Sequence, residues 1–456
     1  MSSRSQWRPD GGADAGLFYN ALLEDALLAE ASVEHLRREQ AHRRLSFGER
    51  PLSIALRPNL LSRDRYAAAA VAARAVYGAL TRLENALLAE PGLRAQLDLE
   101  PEEQRLALAE PGCGASSTSS RLDSFFGAQI RYVEYNAESP AGMAYQDNMA
   151  QVFMALPAMR AFRKRFRVRE VPVRRRQLAA MLSAFGQWGK GDRPAIAIVD
   201  WAGLPTATEF ELFREFFESQ GVPTVICDPR ELELGRGRLY AAGRAVNLVY
   251  RRVLTSELLA RADEVRALLD AYTSGAACVV NPFRAKLLHK KMSLALLSDE
   301  RNSRLYTPGQ RVAIERHVPW TRKVVDGPST RNGEAVDDLL AYCAAHREEL
   351  VLKPNDEYGG KGVVLGWTVD QASWEQALQG ASLESYVVQA AVEVPREIFP
   401  VALESVEMLD LAIDLDPYLF EGRPGGCLTR LSSSALLNVT AGAGSIVPTF
   451  VVEGPT

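Results

Sequence analysis

The hydrophobic rhythm of the chain changes along its length. Apolar residues recur at helical spacing over 17–44, and again through an Ala-rich run over 64–90 that Pro91-Gly92 ends. Residues 102–110 read as a shorter helix closed by Pro111-Gly112, and 51–58 read as extended. A Ser-rich stretch, 116–120, reads as a loop feeding two segments of strand composition, 121–126 and 129–135, before helical spacing returns over 143–163. After 186–194, a Gly-containing linker, short apolar runs at 195–199, 224–227, 239–243, 245–250 and 277–280 alternate with helical stretches at 209–219 and 256–269. That alternation predicts a small parallel sheet covered by helices, with ligands beyond the carboxyl ends of its strands. Asp200-Trp201 and Tyr250-Arg251-Arg252 fall at two such ends. The last third mixes helices (286–297, 337–348, 374–378) with strands (350–353, 362–366, 386–394, 399–408 and several within 425–452), an α+β pattern.

Composition narrows the function classes. With 456 residues the chain has room for about three domains of ~150 residues. A hydrophobic fraction of 47% excludes wholesale disorder, and a formal charge of −4 argues against bulk nucleic-acid binding. No apolar stretch approaches the ~20 residues of a membrane span, and the polar start, Met1 to Gly16, lacks a signal-peptide core. Cys113, Cys227, Cys278, Cys343 and Cys427 are scattered without a C-x-x-C pair, so neither a zinc site nor a disulfide framework is implied. A cytoplasmic protein with reduced thiols is expected. Histidine spacing of the H-E-x-x-H kind, a G-x-S-x-G elbow, a G-x-G-x-x-G turn and a P-loop are all missing. Nine basic residues between Arg160 and Arg176 read as a solvated helix end and helix face, or else as an anion patch.

Five segments carry candidate chemistry. In Val351-Leu352-Lys353-Pro354-Asn355-Asp356-Glu357-Tyr358-Gly359-Gly360-Lys361-Gly362-Val363, a lysine at a strand end meets a loop with three glycines. Such glycines let backbone N–H groups approach phosphate, although a plain hairpin has the same composition. Arg121-Leu122-Asp123 precedes Glu134-Tyr135-Asn136. On adjacent strands, alternation would converge two carboxylates, an amide oxygen and a guanidinium, a hard-oxygen set that suits Mg²⁺; cross-strand ion pairing is the alternative. Asn281-Pro282-Phe283 leads to His289-Lys290-Lys291 on a predicted helix. Tyr386 to Glu393 is an apolar strand running into polar residues. Gly425-Gly426-Cys427-Leu428-Thr429-Arg430 is followed by Asn438 to Gly444, a second Gly-rich stretch.

In this order the segments resemble an ATP-grasp ligase in circularly permuted form, of the group related to glutathionylspermidine synthase. The R-x-D and E-x-N motifs come first here, and the lysine and hinge motifs follow. Glu134 to Gly142 is similar to that group's E/D-x-N…P-x-G stretch, whereas Ala443 interrupts a loop that often reads G-G-G in the family. The resemblance covers roughly residues 120–150 and 195–456. It implies an ATP-grasp fold with a helical N-terminal region (1–112), a metal-motif part (113–185), a Rossmann-like pre-ATP-grasp substrate domain (186–284) and a nucleotide-binding region (285–456).

The roles that the resemblance implies are specific. Asp123, Glu134 and Asn136 would hold Mg²⁺, two ions in all. Arg121 and Arg430 would face the transferring phosphoryl group or acyl phosphate. Lys353 and Lys291, rather than Lys290, would hold phosphates under a loop of Gly359, Gly360, Lys361 and Gly362. Gln389, Ala390 and Val392 would lie at adenine, and Glu393 or Glu397 at ribose. Thr206, Thr208, Glu209, Arg251 and Arg252 would be substrate-side. The implied activity is ATP-dependent joining of a carboxylate to an amine of the amino-acid or small-peptide class, releasing ADP and phosphate; the alternatives are acyl-phosphate chemistry with a non-amine acceptor and a non-catalytic nucleotide-binding protein that keeps the fold. No nucleic-acid or membrane partner is implied, and a homodimer is left open.

Overall fold

Alternation along 119–136 builds the strand pair on which the candidate chemistry stands. In the computed structural model, which describes residues 11–48, 50–110, 112, 117–190, 193–434 and 444–455, Ser119–Phe126 and Ile130–Asn136 form an antiparallel hairpin. Asp416–Phe420 and Arg423–Leu428 extend it to four strands in the order 423–428, 416–420, 119–126, 130–136. Arg121 stands opposite Asn136 and Asp123 opposite Glu134. The register then slips, because Ser124 pairs with Tyr132 and leaves Val133 as an extra residue. Leu122, Tyr132 and Tyr135 are buried in one core cluster with the helix Arg63–Ala89. That helix turns an Ala- and Leu-lined stripe (Ala69, Ala72, Ala73, Val76, Ala79, Leu80, Leu83, Leu87) into the core, and Ser62 caps its start.

A second antiparallel sheet carries the lysine motif. Its order is Thr321–Lys323, Tyr386–Ala390, Leu350–Pro354, Val364–Leu365. The third sheet is fully parallel, in the order Cys278–Val280, Leu248–Arg251, Ile196–Val199, Thr224–Cys227. Its strands are almost wholly apolar, as a sheet covered on both faces requires. The strand Asn59–Ser62 pairs in parallel with Thr449–Pro455, joining the two ends of the chain, and Phe166–Arg169 flanks Thr449–Pro455 on its other side.

Several expected elements are corrected. The single helix over 17–44 is two, Gly11–Leu22 and Ala26–His42, because Asp25 starts the second by accepting from the N–H groups of Leu27 and Leu28. The helix over 143–163 breaks before Pro157, which has no N–H to continue it. The helix over 286–297 splits into Lys286–His289 and Met292–Leu297, with Lys290 extended between them. The strand expected over 399–408 is a hairpin, Arg396–Ala402 with Val406–Ile413. The N-terminal region also contributes a strand, Asn59–Ser62.

Buried charge locks the sheets to one another. Glu138, two residues beyond Asn136, has no solvent exposure. It accepts from Arg251 Nη2 of the parallel sheet at 3.1 Å, from the Thr255 hydroxyl, and from Lys286 Nζ at 3.4 Å. Lys286 also reaches Asp356, at the base of the Gly-rich loop, at 2.6 Å and Glu103, in the N-terminal region, at 3.4 Å. Asn281 completes the joint: its amide donates to the carbonyls of Ser119, Ala137 and Glu138 and accepts the Ser119 N–H. Burial raises the Glu138 carboxyl, but Lys286 and Arg251 outweigh it and hold the group well below the ordinary carboxylate range. Removing the charge strands the buried Arg251 guanidinium, whereas Lys286 keeps Asp356 and Glu103. Glu138→Gln is therefore expected to lose about 3 kcal/mol of stability, read from urea unfolding midpoints at neutral pH. A loss below half a kcal/mol would show that the joint does not depend on this carboxylate.

Candidate active site

The R-x-D and E-x-N side chains meet on one face of the hairpin. Arg121 grips Asp123 as a fork, Nε to Oδ1 at 2.6 Å and Nη2 to Oδ2 at 2.9 Å. The Asn136 amide donates to Asp123 Oδ1 at 2.9 Å. Arg430, at the start of Arg430–Ser432, donates from Nη2 to Asp123 Oδ2 at 3.0 Å and to Asp416 Oδ2 at 2.9 Å, and from Nε to Asp414 at 2.5 Å. Asp416 is tied in turn to the hairpin, accepting the Ser124 N–H at 2.8 Å. Burial raises the Asp123 carboxyl, yet Arg121 and Arg430 prevail and bring it to about 2. Asp416 moves the other way: burial, and then the neighbouring Asp123 and Asp414 anions, push it well above the ordinary range.

The lysine sheet closes against the same hairpin. Lys291 Nζ lies 3.1 Å from Glu134 Oε1 and donates to the Glu357 carbonyl at 2.6 Å. Lys353 Nζ donates to the Val133 carbonyl at 3.2 Å, an acceptor on the residue that the register slip leaves without an opposite partner, and to Gln389 Oε1 at 2.7 Å. Burial, and then the adjacent Lys291 ammonium, lower Lys353 to about 8, although Glu134 raises it. Glu134 is itself held below its ordinary value: burial raises it, and Lys291 and Lys353 bring it down. Lys290 turns away to Glu103 and the Asp98 carbonyl, so of the two neighbours Lys291 faces the hairpin.

The remaining expected residues are spread more widely. Gly359, Gly360 and Gly362 all adopt positive φ, and a Cβ on Gly362 would stand 2.7 Å from Pro354 Cγ. Lys361 is exposed and pairs with Glu357 at 2.8 Å. Gln389 is buried and spends its side chain on Lys353 and Thr321, orienting the lysine. Ala390 and Ala391 give their N–H groups to the carbonyls of Trp320 and Glu349, so neither donor is free for a base edge, and Val392 lies just past the strand end. Glu397 pairs with the buried Arg57 at 2.7 Å. Glu393 is exposed, with Oε2 3.2 Å from where a Cβ on Gly127 of the hairpin turn would stand.

On the parallel sheet, Thr206 and Thr208 are at the start of Ala207–Ser219. Glu209 is buried, accepting the Ala144 N–H at 3.1 Å and lying 3.6 Å from Arg252. Arg252 donates to the Pro140 carbonyl at 2.8 Å. The next carbonyl, Ala141, accepts from Arg121 Nη1 and the Tyr418 hydroxyl, which links this end of the sheet to the hairpin. Arg251 is fully buried on Glu138, Asn281 and Val253, within the joint. Residues 435–443, with Asn438, Gly442 and Ala443, lie outside the described residues. Sequence reasoning missed Asp414, Asp416 and Glu138. Asp414-Leu415-Asp416 carries the period-2 signature of a strand entry, and Glu138 stands within the E-x-N…P-x-G stretch itself.

The donor set suits a magnesium-bound polyphosphate. Among the described residues no three His, Cys, Asp or Glu side chains gather as a protein-only metal cage. Glu134 offers a carboxylate, and Asn136, whose NH₂ faces Asp123, has its carbonyl oxygen to offer. One or two carboxylates, an amide and substrate phosphates are how Mg²⁺ is commonly held, and the Lys291 and Lys353 ammonium groups lie beside these donors.

No protein-family model and no curated protein matches the sequence. Among solved structures, the chain is similar to a glutathione synthetase-like effector from Globodera pallida in its apo form. The TM-score is 0.60 and the identity 11%, over 93% of this chain and 97% of that one. The likeness is one of fold, a mixed α/β chain. No helix among the described residues is long and apolar enough to cross a membrane.

The electrostatics of the lysine pair can be checked without any ligand. Glu134 is the anion that supports the Lys353 ammonium, so Glu134→Gln is expected to move the lysine below its value of about 8. A ¹³Cε-lysine NMR titration of wild type and variant reads this directly. An unchanged or raised midpoint in the variant would contradict the arrangement.

Proposed function

We propose that this protein is an ATP- and Mg²⁺-dependent carboxylate–amine ligase of circularly permuted ATP-grasp type. One observation carries the reading: Lys291 and Lys353, from the far part of the chain, meet the Arg121/Asp123–Glu134/Asn136 hairpin at hydrogen-bond distance. In this reading the parallel sheet is the Rossmann-like substrate domain, and 285–456 with 113–185 form the nucleotide-binding body.

A carboxylate is a poor acylating agent, because its leaving group would be oxide or hydroxide. Transfer of the γ-phosphoryl group to a carboxylate oxygen gives an acyl phosphate and ADP. The amine nitrogen then bonds to the acyl carbon, the C–O bond to phosphate breaks, and the nitrogen loses a proton. Lys353 and Lys291 hold the phosphates, with Gln389 fixing the direction of Lys353. Glu134 and Asn136, joined by Asp123, would hold the cation, which would neutralise charge on the phosphates. Arg121 and Arg430 place preorganised positive charge beside the transferring group. The loop at Gly359–Gly362 covers the phosphates and excludes water. Amino acids or small peptides are the substrate class. A nucleotide-binding protein without chemistry is the second reading, favoured by the saturation of Asp123 with guanidinium donors.

Calorimetric titration with a non-hydrolysable ATP analogue and Mg²⁺ tests the nucleotide site. Lys353→Ala is expected to weaken binding by about 1.5–3 kcal/mol, the worth of a hydrogen bond to a charged group. Because free Lys353 loses its proton above about pH 8 and phosphate favours the ammonium, affinity should fall and proton uptake on binding should appear as pH rises past that value. Absence of binding at millimolar nucleotide would end the reading. Binding without ADP release in a screen of carboxylates and amines would select the non-catalytic one.

A further inference from the structure

Asp123 has no acceptor capacity left. A carboxylate offers about four lone-pair sites on its two oxygens. Here Oδ1 accepts Arg121 Nε and Asn136 Nδ2, while Oδ2 accepts Arg121 Nη2 and Arg430 Nη2. A cation that takes Asp123 as a ligand must displace one of these donors. Asn136 is a neutral donor on the opposing strand. The fork of Arg121 has no second carboxylate closer than Asp416 at 3.9 Å, so losing Asp123 would strand a buried cation. Arg430 is different. Its Nε and backbone N–H are both on Asp414 at 2.5 Å, and its Nη2 is on Asp416 at 2.9 Å. It can give up Asp123 and remain neutralised. Asp414 and Asp416 are 2% and 0% exposed, and no role in the reaction as proposed above accounts for two buried carboxylates there.

We propose that Asp414 and Asp416 are positioning residues that hold Arg430 when Asp123 turns from the arginine to a divalent cation, so that the metal-loaded site keeps its arginine. The inference rests on the nucleotide reading above. In this arrangement Arg430 and the cation compete for one carboxylate oxygen, and the two aspartates set the outcome of that competition.

The test is Mn²⁺ affinity of the protein–ADP complex, read by EPR of free Mn²⁺, beside ADP affinity in EDTA. Arg430→Gln removes the competitor and is expected to tighten Mn²⁺ severalfold, toward tenfold. Asp414→Asn leaves Arg430 leaning on Asp123 and is expected to weaken Mn²⁺ about tenfold, with ADP affinity in EDTA unchanged. In the Asp414→Asn/Arg430→Gln double variant the effect of the first change should vanish, since it acts only through the arginine. Equal weakening of ADP with and without metal, or persistence of the Asp414→Asn effect without Arg430, would mean a merely structural carboxylate and overturn the inference. Should Asp414→Asn fail to fold, the Arg430→Gln arm decides alone: unchanged or weaker Mn²⁺ binding rejects the competition. Wild type that binds no nucleotide at all would remove the nucleotide reading and this inference together, an outcome distinct from nucleotide binding with unaltered metal affinity.

Discussion

A carboxylate with no access to water needs cations, and the demand of Glu138 is met from distant stretches of the chain. Arg251 ends a strand of the parallel sheet, Thr255 opens the helix after it, and Lys286 begins the segment that leads to the site lysines. Lys286 then needs more than one anion and finds Glu103 in the N-terminal region and Asp356 beneath the Gly-rich loop. Each partner is fully or largely buried, so each depends on the others being in place. The position of the E-x-N strand relative to the Gly-rich loop follows from this one network. The first 110 residues, which carry no motif, have a structural meaning here: Glu103 also takes Lys290, and Asp98 takes Lys323 and Ser385, so the N-terminal region anchors the lysine sheet.

Local irregularity then converts that alignment into a site. The register slip between Asp123 and Ser124 leaves Val133 without an opposite residue, and Lys353, 220 residues away in the chain, uses its carbonyl. As the edge strand of its sheet, 130–136 has carbonyls that no neighbouring strand takes, and the slip sets which of them faces the lysine. The break at Lys290 has a similar effect. In a continuous helix, adjacent lysines would point about 100° apart along one cylinder. With Lys290 extended, one ammonium goes to Glu103 and the other to Glu134.

What could be read in the sequence was whatever depends on period and on punctuation. Alternation put Arg121 with Asp123 and Glu134 with Asn136, and the observed cross-strand register pairs them directly. The apolar runs at 195–199, 224–227, 245–250 and 277–280 and the Pro91-Gly92 stop were legible for the same reason, whereas 239–243, expected in the parallel sheet, pairs antiparallel with 232–235 and 244–246 in a sheet of its own. Burial and pairing were not. Arg251 and Arg252 are neighbours at a strand end, yet one is sealed in the joint and the other reaches the Pro140 carbonyl; no local feature separates them. Gln389 reads as part of a hinge strand, and only the third dimension shows that its amide is spent on Lys353. Asp414 and Asp416 escaped notice because two aspartates at a strand entry are ordinarily solvated, whereas here they enclose an arginine.

The site is electrically polarised, and its two unusual protonation equilibria express that. Around the hairpin, three carboxylates (Asp123, Asp414, Asp416) face two guanidinium groups (Arg121, Arg430), an excess of one negative charge. On the lysine side, two ammonium groups (Lys291, Lys353) face one carboxylate, Glu134, an excess of one positive charge. Burial penalises each excess, so Asp416 is pushed toward its protonated form and Lys353 toward its neutral one. Both groups would regain their charge next to an opposite partner: a cation on the acidic side, an anion on the basic side. A ligand carrying both, arranged with its cation toward the hairpin and its anionic groups toward the lysines, relieves both penalties at once. A metal–polyphosphate has that arrangement, whereas a plain anion or a lone cation relieves only one end.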